Sequence, residues 1–267
     1  MQQKGERRLH GAMPETRKTT SEDLLQNYWD YLQKVFREVQ ASEKSAVASA
    51  GRRIAEAIGE GNSLWCFGCT HSALLVGETV YRAGGLILAN PIFAPGLWPG
   101  ERPVTRTSRI EKLSGYAEVL LADTKISAGD IVVVISTSGW NAVPVEFAQL
   151  AKEERGACVI AITSMGYLDL RSSKQGPHLS EIADMVIDNH VPVGDASMEL
   201  SDYPGLQMGP VSTFVGSALI NGMMMAAAAA LAAKGIEPPV FSSGNVPGGM
   251  ERNLELVRRY KDQIHYM

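Results

Sequence analysis

Ser136-Thr-Ser-Gly-Trp-Asn141 directly follows the β-branched run Ile131-Val-Val-Val-Ile135. Gly68-Cys-Thr-His-Ser72 and Thr163-Ser164 follow apolar runs in the same manner. Small hydroxyls at a helix entry, joined by the backbone N–H groups that a helix start leaves open, form a cradle for an anion without Lys or Arg. The helix dipole adds about 0.3–2 kcal/mol for a bound negative group. Ser and Thr are also ordinary helix caps, and one such loop alone reads that way. Three in one chain turn the reading toward a ligand. Side chains that move protons near neutral pH stand close by. His71 lies inside the first hydroxyl segment and Glu78 six residues after Ser72. His190, Asp195 and Glu199 fall in a polar stretch at 189–199. Each has a plainer role as well: Asp195 follows Gly194 as turn residues do, and Glu78 and Glu199 suit a helix surface and a loop surface. Arg82 is a partner for one of these acids or for a substrate, and surface ion pairing is the simpler assignment.

Other chemistries are poorly supported. Cys66 and Cys69 have C-x-x-C spacing, but a redox pair places its first Cys at a helix start, whereas Cys66 belongs to an apolar strand. Cys158 is the only other cysteine, so a zinc site lacks ligands. Both Cys66 and Cys69 read as packing residues. No Gly-Lys-Ser/Thr phosphate loop follows a strand, and no Gly-x-Gly-x-x-Gly stands at the first strand. Neither a cofactor nor a metal is expected.

The elements that must position these residues alternate. Helical periodicity covers 21–39 and continues to about Gly59, with Ser21 as the expected cap. Strands are expected at 63–68, 86–92, 131–135, 158–163 and 185–188. Helices are expected at 72–83, 109–121 and 143–155, and the Pro/Gly-rich segment 93–108 reads as an irregular loop. This pattern predicts an α/β fold with a parallel sheet and right-handed crossovers. Ligands of such sheets bind beyond the carboxyl ends of the strands, near the topological switch point. That is where the hydroxyl segments fall. Residues 211–233 carry no charge and match a membrane span in length, but Ser212, Thr213, Ser217, Asn221 and a run of Ala favour a buried helix.

The chain has 267 residues, 45% hydrophobic and 20% charged, which suits a globular protein with one sizeable core. Its formal charge of −4 excludes the basic excess of a general nucleic-acid or anionic-membrane binder. Three cysteines make no disulfide framework, and residues 1–20 lack a secretory apolar stretch, so a cytoplasmic location is expected. Residues 1–20 read as a disordered leader or expression remnant, and 21–267 as one domain.

Taken together, Ile135-Ser-Thr-Ser-Gly-Trp-Asn141, Ala148-x-x-Ala-Lys152, Val159-Ile-Ala-Ile-Thr-Ser164 and Ile182-Ala-Asp-Met-Val-Ile187 resemble the SIS (sugar isomerase) domain family. Phe67-Gly-Cys-Thr-His-Ser72 is similar to that family's first turn, with Thr70 where a second Gly is usual. Asn141 replaces a loop Thr, Val143 an acid, and Trp140 puts a large ring beside the site. The segments Glu78 to Gly85, Asn141 to Pro144 and Gly194 to Ala196 look closest to single-SIS proteins of the phosphoheptose-isomerase-like kind.

The resemblance implies a five-stranded parallel sheet in a three-layer αβα sandwich, flanked by N- and C-terminal helices. It implies homodimers or homotetramers with sites at subunit contacts. It places the substrate's phosphate, or another terminal anion such as a sulfonate, on Ser72, Ser136, Thr137, Ser138, Gly139 and Asn141. It implies an aldose–ketose isomerase working through an enediolate, with Glu78 as the proton-transfer carboxylate and His71, His190, Asp195 and Glu199 as further acid–base candidates. A non-catalytic phosphosugar sensor and a sugar-phosphate lyase or etherase are the alternatives.

Overall fold

The computed structural model describes residues 20–170 and 176–267. Of the expected leader, residues 1–20, all but Thr20 lie outside the described residues. The chain begins with α1 (Ser21–Ser42) and α2 (Lys44–Gly59), then β1 (Leu64–Gly68), α3 (His71–Glu78) and β2 (Ala89–Ile92). Short helices α4 (Thr107–Ile110) and α5 (Tyr116–Ala122) lead to β3 (Ile131–Ile135), α6 (Ala142–Glu153) and β4 (Cys158–Thr163). The single-turn α7 (Leu179–Ile182) precedes β5 (Met185–Asp188). A hairpin of β6 (Ala196–Glu199) and β7 (Gln207–Pro210), the long α8 (Ser212–Ala233) and α9 (Gly249–Arg259) complete the order. Thr20 rather than Ser21 caps α1, through a capping box in which its hydroxyl accepts from the Asp23 N–H and the Asp23 carboxylate accepts from the Thr20 N–H.

Five strands form one parallel sheet in the order β2-β1-β3-β4-β5. Strand residues alternate between two apolar layers, as a sheet covered on both faces requires. Leu64, Cys66, Ile131, Val133, Ile135, Ile160 and Ile162 point to a layer made by α1, α2, α3, α8 and α9. Trp65, Phe67, Val132, Val134, Val159 and Ala161 point to the layer made by α5, α6 and α7. The fold is the expected three-layer sandwich.

Four local expectations are corrected. The helix expected at 72–83 ends at Glu78, with Thr79 as its C-cap. The second strand is shorter than 86–92, because Gly84, Gly85 and Ile87 pair with 239–241 and Leu86 bridges Val240 antiparallel, leaving only Ala89–Ile92 for the parallel sheet. The helix expected at 109–121 is broken at 111–115, where the Glu146 carboxylate on α6 accepts from Ser114 Oγ at 2.6 Å and from the Gly115 N–H at 2.8 Å. The polar stretch after β5 is an antiparallel hairpin from Ala196 onward instead of a plain loop.

Candidate functional site

The strand order reverses direction between β1 and β3, and in sheets of this order the ligand crevice lies beyond the carboxyl ends of those two strands. A cavity of about 230 Å³ opens there. Cys69, Thr70, His71 and Ser72 from the β1 end form one wall, and Ser136, Thr137, Ser138 and Asn141 from the β3 end form the next. Glu111, Tyr167, Asp195 and Ser212 close it from the other side. Five of the six residues expected to hold an anion therefore share one cavity. The sixth, Gly139, belongs to the same loop.

That loop is braced on every side. The Gly139 N–H donates to Ser136 Oγ at 3.3 Å, the Leu179 N–H donates to the Gly139 carbonyl at 2.7 Å, and the Ser164 N–H to the Thr137 carbonyl at 3.0 Å. The His178 ring, fully buried, bonds the Ser138 carbonyl through Nε2 at 3.1 Å and Ser180 through Nδ1 at 2.8 Å. Gly139 has φ +70°, and a Cβ added there would lie 2.1 Å from His178 Nε2. Glycine is required by both conformation and space.

Neither N-cap side chain of the two loops is used as a helix cap. Asn141 is the N-cap of α6, and its side chain makes no cap bond. Thr70 is the N-cap of α3, and its side chain makes none either. Thr70 holds φ +54°, a positive value that suits the glycine usual at this turn. The hydroxyls at the β4 end serve differently from expectation. Thr163 and Ser164 are fully buried, with Ser164 Oγ donating to the Val191 carbonyl at 2.7 Å and Thr163 Oγ1 to the Thr137 carbonyl at 3.4 Å. They brace the cradle from behind.

The acid–base candidates divide. His71 lies at the cavity mouth, exposed, in the first turn of α3. Asp195 lines the cavity, and its carboxylate accepts from the Val211 and Ser212 N–H groups at 3.0 and 2.8 Å and from Ser212 Oγ at 2.6 Å. It thereby supplies the start of α8 with the cap that Val211 lacks.

The other three lie outside the cavity wall of this chain. Glu78 ends α3, about 10 Å along the axis from His71, ion-paired with Arg82 and accepting from Asn221 Nδ2 at 3.0 Å. His190 bonds Ser42 Oγ at 2.8 Å beside Glu43, tying the β5 end to the α1–α2 junction. Glu199 accepts from the Gly205 N–H at 2.6 Å within the hairpin.

Sequence reasoning missed Glu111, Tyr167 and Ser212. Glu111 was hidden inside an apparently continuous helix, and Ser212 inside the apolar run that became α8. Tyr167 packs edge-on against Trp140, ring centroids 5.7 Å apart, and its hydroxyl accepts from the Gly194 N–H at 2.9 Å. Trp140, the ring expected beside the anion site, does not itself line the cavity and packs behind Tyr167, which does. Among the described lining residues there is no Lys or Arg. Burial, partly offset by Lys112 and by a hydrogen bond with the Asn141 side chain, pushes the Glu111 carboxyl above the usual range. Burial also pushes the Cys66 thiol up to about 12 and the Cys69 thiol well above normal, the latter with a contribution from the Glu111 charge, so neither is a reactive thiolate.

A hydroxyl cradle at the β1/β3 switch of a five-stranded parallel sheet defines a class, and the sequence agrees with it. Residues 27–164 match the SIS domain, and the chain belongs to that family. Within it the chain is similar to the UPF0309 protein of Oceanobacillus iheyensis, 38% identical over 245 residues, covering 91% of this chain and 99% of that one. It is also similar to the UPF0309 protein of Streptomyces griseus, 39% identical over 233 residues, covering 85% and 91%. Among solved structures, the fold is shared with phosphoheptose isomerase from Neisseria gonorrhoeae, with a TM-score of 0.51, 15% identity and coverage of 80% of this chain and 100% of that one. The phosphoheptose isomerase from Francisella tularensis gives a TM-score of 0.50 at 16% identity, covering 77% and 99%.

Proposed function

We propose that the protein is an aldose–ketose isomerase acting on an anionic sugar through an enediolate, with a sugar phosphate as the first expectation and a sugar sulfonate as the second. One observation carries this reading. A single cavity at the sheet's switch point combines the hydroxyls of Ser72, Ser136, Thr137 and Ser138 with the carboxylates of Glu111 and Asp195 and the imidazole of His71. The cradle would hold the terminal anion and so fix C1 and C2 of the sugar against the proton-transfer groups. Fixing reacting atoms in this way supplies much of the rate in enzymes that move protons. The chemistry needs no cofactor, because proton transfer between adjacent carbons neither oxidises nor reduces the sugar as a whole.

A homodimer or homotetramer is part of the proposal. An apolar groove of about 720 Å³ runs between α1, α2 and α8, lined by Phe36, Val47 and Met225, and Met225 is 71% exposed. A second copy seated there would cover it. Glu78 and His190, outside this chain's own cavity, remain candidates for a site completed at such a contact.

The test is incubation in D2O with pentose, hexose and heptose phosphates and the matching terminal sulfonates. Deuterium at C2, with aldose and ketose interconverting, is the expected result. Binding without exchange would replace the enzyme with a sensor, and an elimination product would replace it with a lyase.

A further inference from the structure

We infer that Glu111 is the catalytic carboxylate of this site, sharing the cavity with the hydroxyl cradle and locked to the start of α6. The assignment rests on the isomerase reading and goes beyond it, since neither the motif nor the position of Glu78 points to this residue. Three observations lead to it. Glu111 lines the same cavity as Ser72, Ser136, Thr137 and Ser138. Its backbone is held at the start of α6: its carbonyl accepts from the Val143 N–H at 3.0 Å. Asn141, which lines the same cavity, makes no cap bond of its own. A group that moves protons must be held in this way, because a small displacement of the reacting atoms costs much of the rate.

The other acids are committed elsewhere. Asp195 is the only further carboxylate lining the cavity among the described residues, and its oxygens accept three hydrogen bonds from Val211 and Ser212. Glu78 is ion-paired with Arg82 and bonded by Asn221. The partial burial that pushes the Glu111 carboxyl upward also favours it as a group that both takes and returns a proton.

The step is balanced. The Glu111 carboxylate takes the proton from C2 of the aldose. The C2–H electron pair becomes the C1=C2 bond, and the carbonyl π pair moves onto O1, forming the enediolate. The C2 hydroxyl proton passes to O1, with His71 at the mouth as the carrier. The O2 electron pair then forms the C2 carbonyl as the C1=C2 pair takes the proton back from Glu111 at C1. The ketose leaves and the carboxylate is restored.

The experiment measures C2 exchange in D2O for the wild type, Glu111→Gln and Glu78→Gln, using the sugar from the panel that the wild type turns over. Calorimetry gives the affinity of each protein for that sugar. Glu111→Gln should lose about 100-fold or more of the exchange rate while its affinity stays within about threefold. Glu111→Ala should regain exchange on addition of formate, which a merely structural residue would not permit. If Glu111→Gln exchanges at the wild-type rate, or if formate restores nothing to Glu111→Ala, the assignment is overturned and the isomerase reading stands. If the wild type exchanges no sugar in the panel, the isomerase reading falls and takes the assignment with it.

Discussion

Gly139 shows how much of the cradle depends on single atoms. Its φ of +70° and the 2.1 Å approach of a would-be Cβ to His178 Nε2 leave no room for a side chain. The ring cannot yield cheaply, because it is fully buried and bonded at both nitrogens. Gly139→Ala is expected to cost about 1–3 kcal/mol of stability through strain and overpacking. It should also weaken sugar-phosphate binding by about tenfold, since a 1.4 kcal/mol distortion of the cradle is enough for that. Urea denaturation and calorimetry on the same variant check both, and wild-type values in each would show that the loop has slack. The cradle residues themselves were legible in the sequence, because hydroxyls and glycine after a β-branched strand form a local pattern. Thr70 was legible as a departure, and the structure gives it a positive φ, a conformation that favours glycine. Glu111 was not legible. No local pattern marks a residue whose importance comes from α6 reaching it over 30 positions of chain.

At the level of elements, the C-terminal tail after α9 closes the amino end of the sheet. The His265 N–H donates to Asn90 Oδ1 at 2.7 Å, and Tyr266 Oη donates to the Ile87 carbonyl at 2.9 Å. The His265 ring stacks on Trp65, centroids 4.7 Å apart, with Nε2 3.0 Å from Ser63 Oγ. Burial and then Lys125 hold the His265 pKa below its usual value, against an opposing pull from Asp130. The unfolded chain therefore binds the proton at higher pH than the folded one. The stabilisation from neutral His265 is complete above its unfolded pKa of about 6.5, and is lost as pH falls from there toward the lower folded value. Wild type should lose more stability between pH 7.5 and pH 5 than His265→Phe, which keeps the ring contact without the titration. Equal losses in the two proteins would remove His265 from the account. The strands were legible from their apolar runs, and α2, α6 and α8 from periodicity or length. The break at 111–115 was not, because its cause is the Glu146 carboxylate on another helix, and the hairpin β6–β7 carries no strong alternation to announce it.

For the whole molecule, charge makes a prediction of its own. The formal charge is −4, and no Lys or Arg lines the cavity among the described residues. On the proposed reading, an anionic ligand would be held by short-range hydroxyl and N–H contacts against a mildly repulsive field. Salt screens that repulsion and has no ion pair in the cavity to weaken. Raising NaCl from about 50 to about 300 mM should leave the Kd for the sugar phosphate within about threefold, with any change toward tighter binding. A tenfold loss of affinity would reveal a cation brought to the site by a second copy of the chain. The uncharged helix α8 bears on the same question. Among the described residues it is the one helix long and apolar enough to cross a membrane. It buries Val215, Leu219, Met223 and Leu231 along one face against the core, while Phe214 and Met225 remain open on another.

The sequence by itself determined the alternation of strands and helices, the three-layer class and the hydroxyl cradle. All of these follow from residues within one element and its next turn, where periodicity and backbone chemistry act locally. Only the tertiary structure decided which acids face the cradle. It sent Glu78 to Arg82 and Asn221, His190 to Ser42, Asp195 to the start of α8, and Glu111 to the cavity beside the start of α6. The physical reason is that a carboxylate's neighbours are set by the packing of helices distant in the chain, and no spacing along the sequence encodes which of several acids that packing will turn inward.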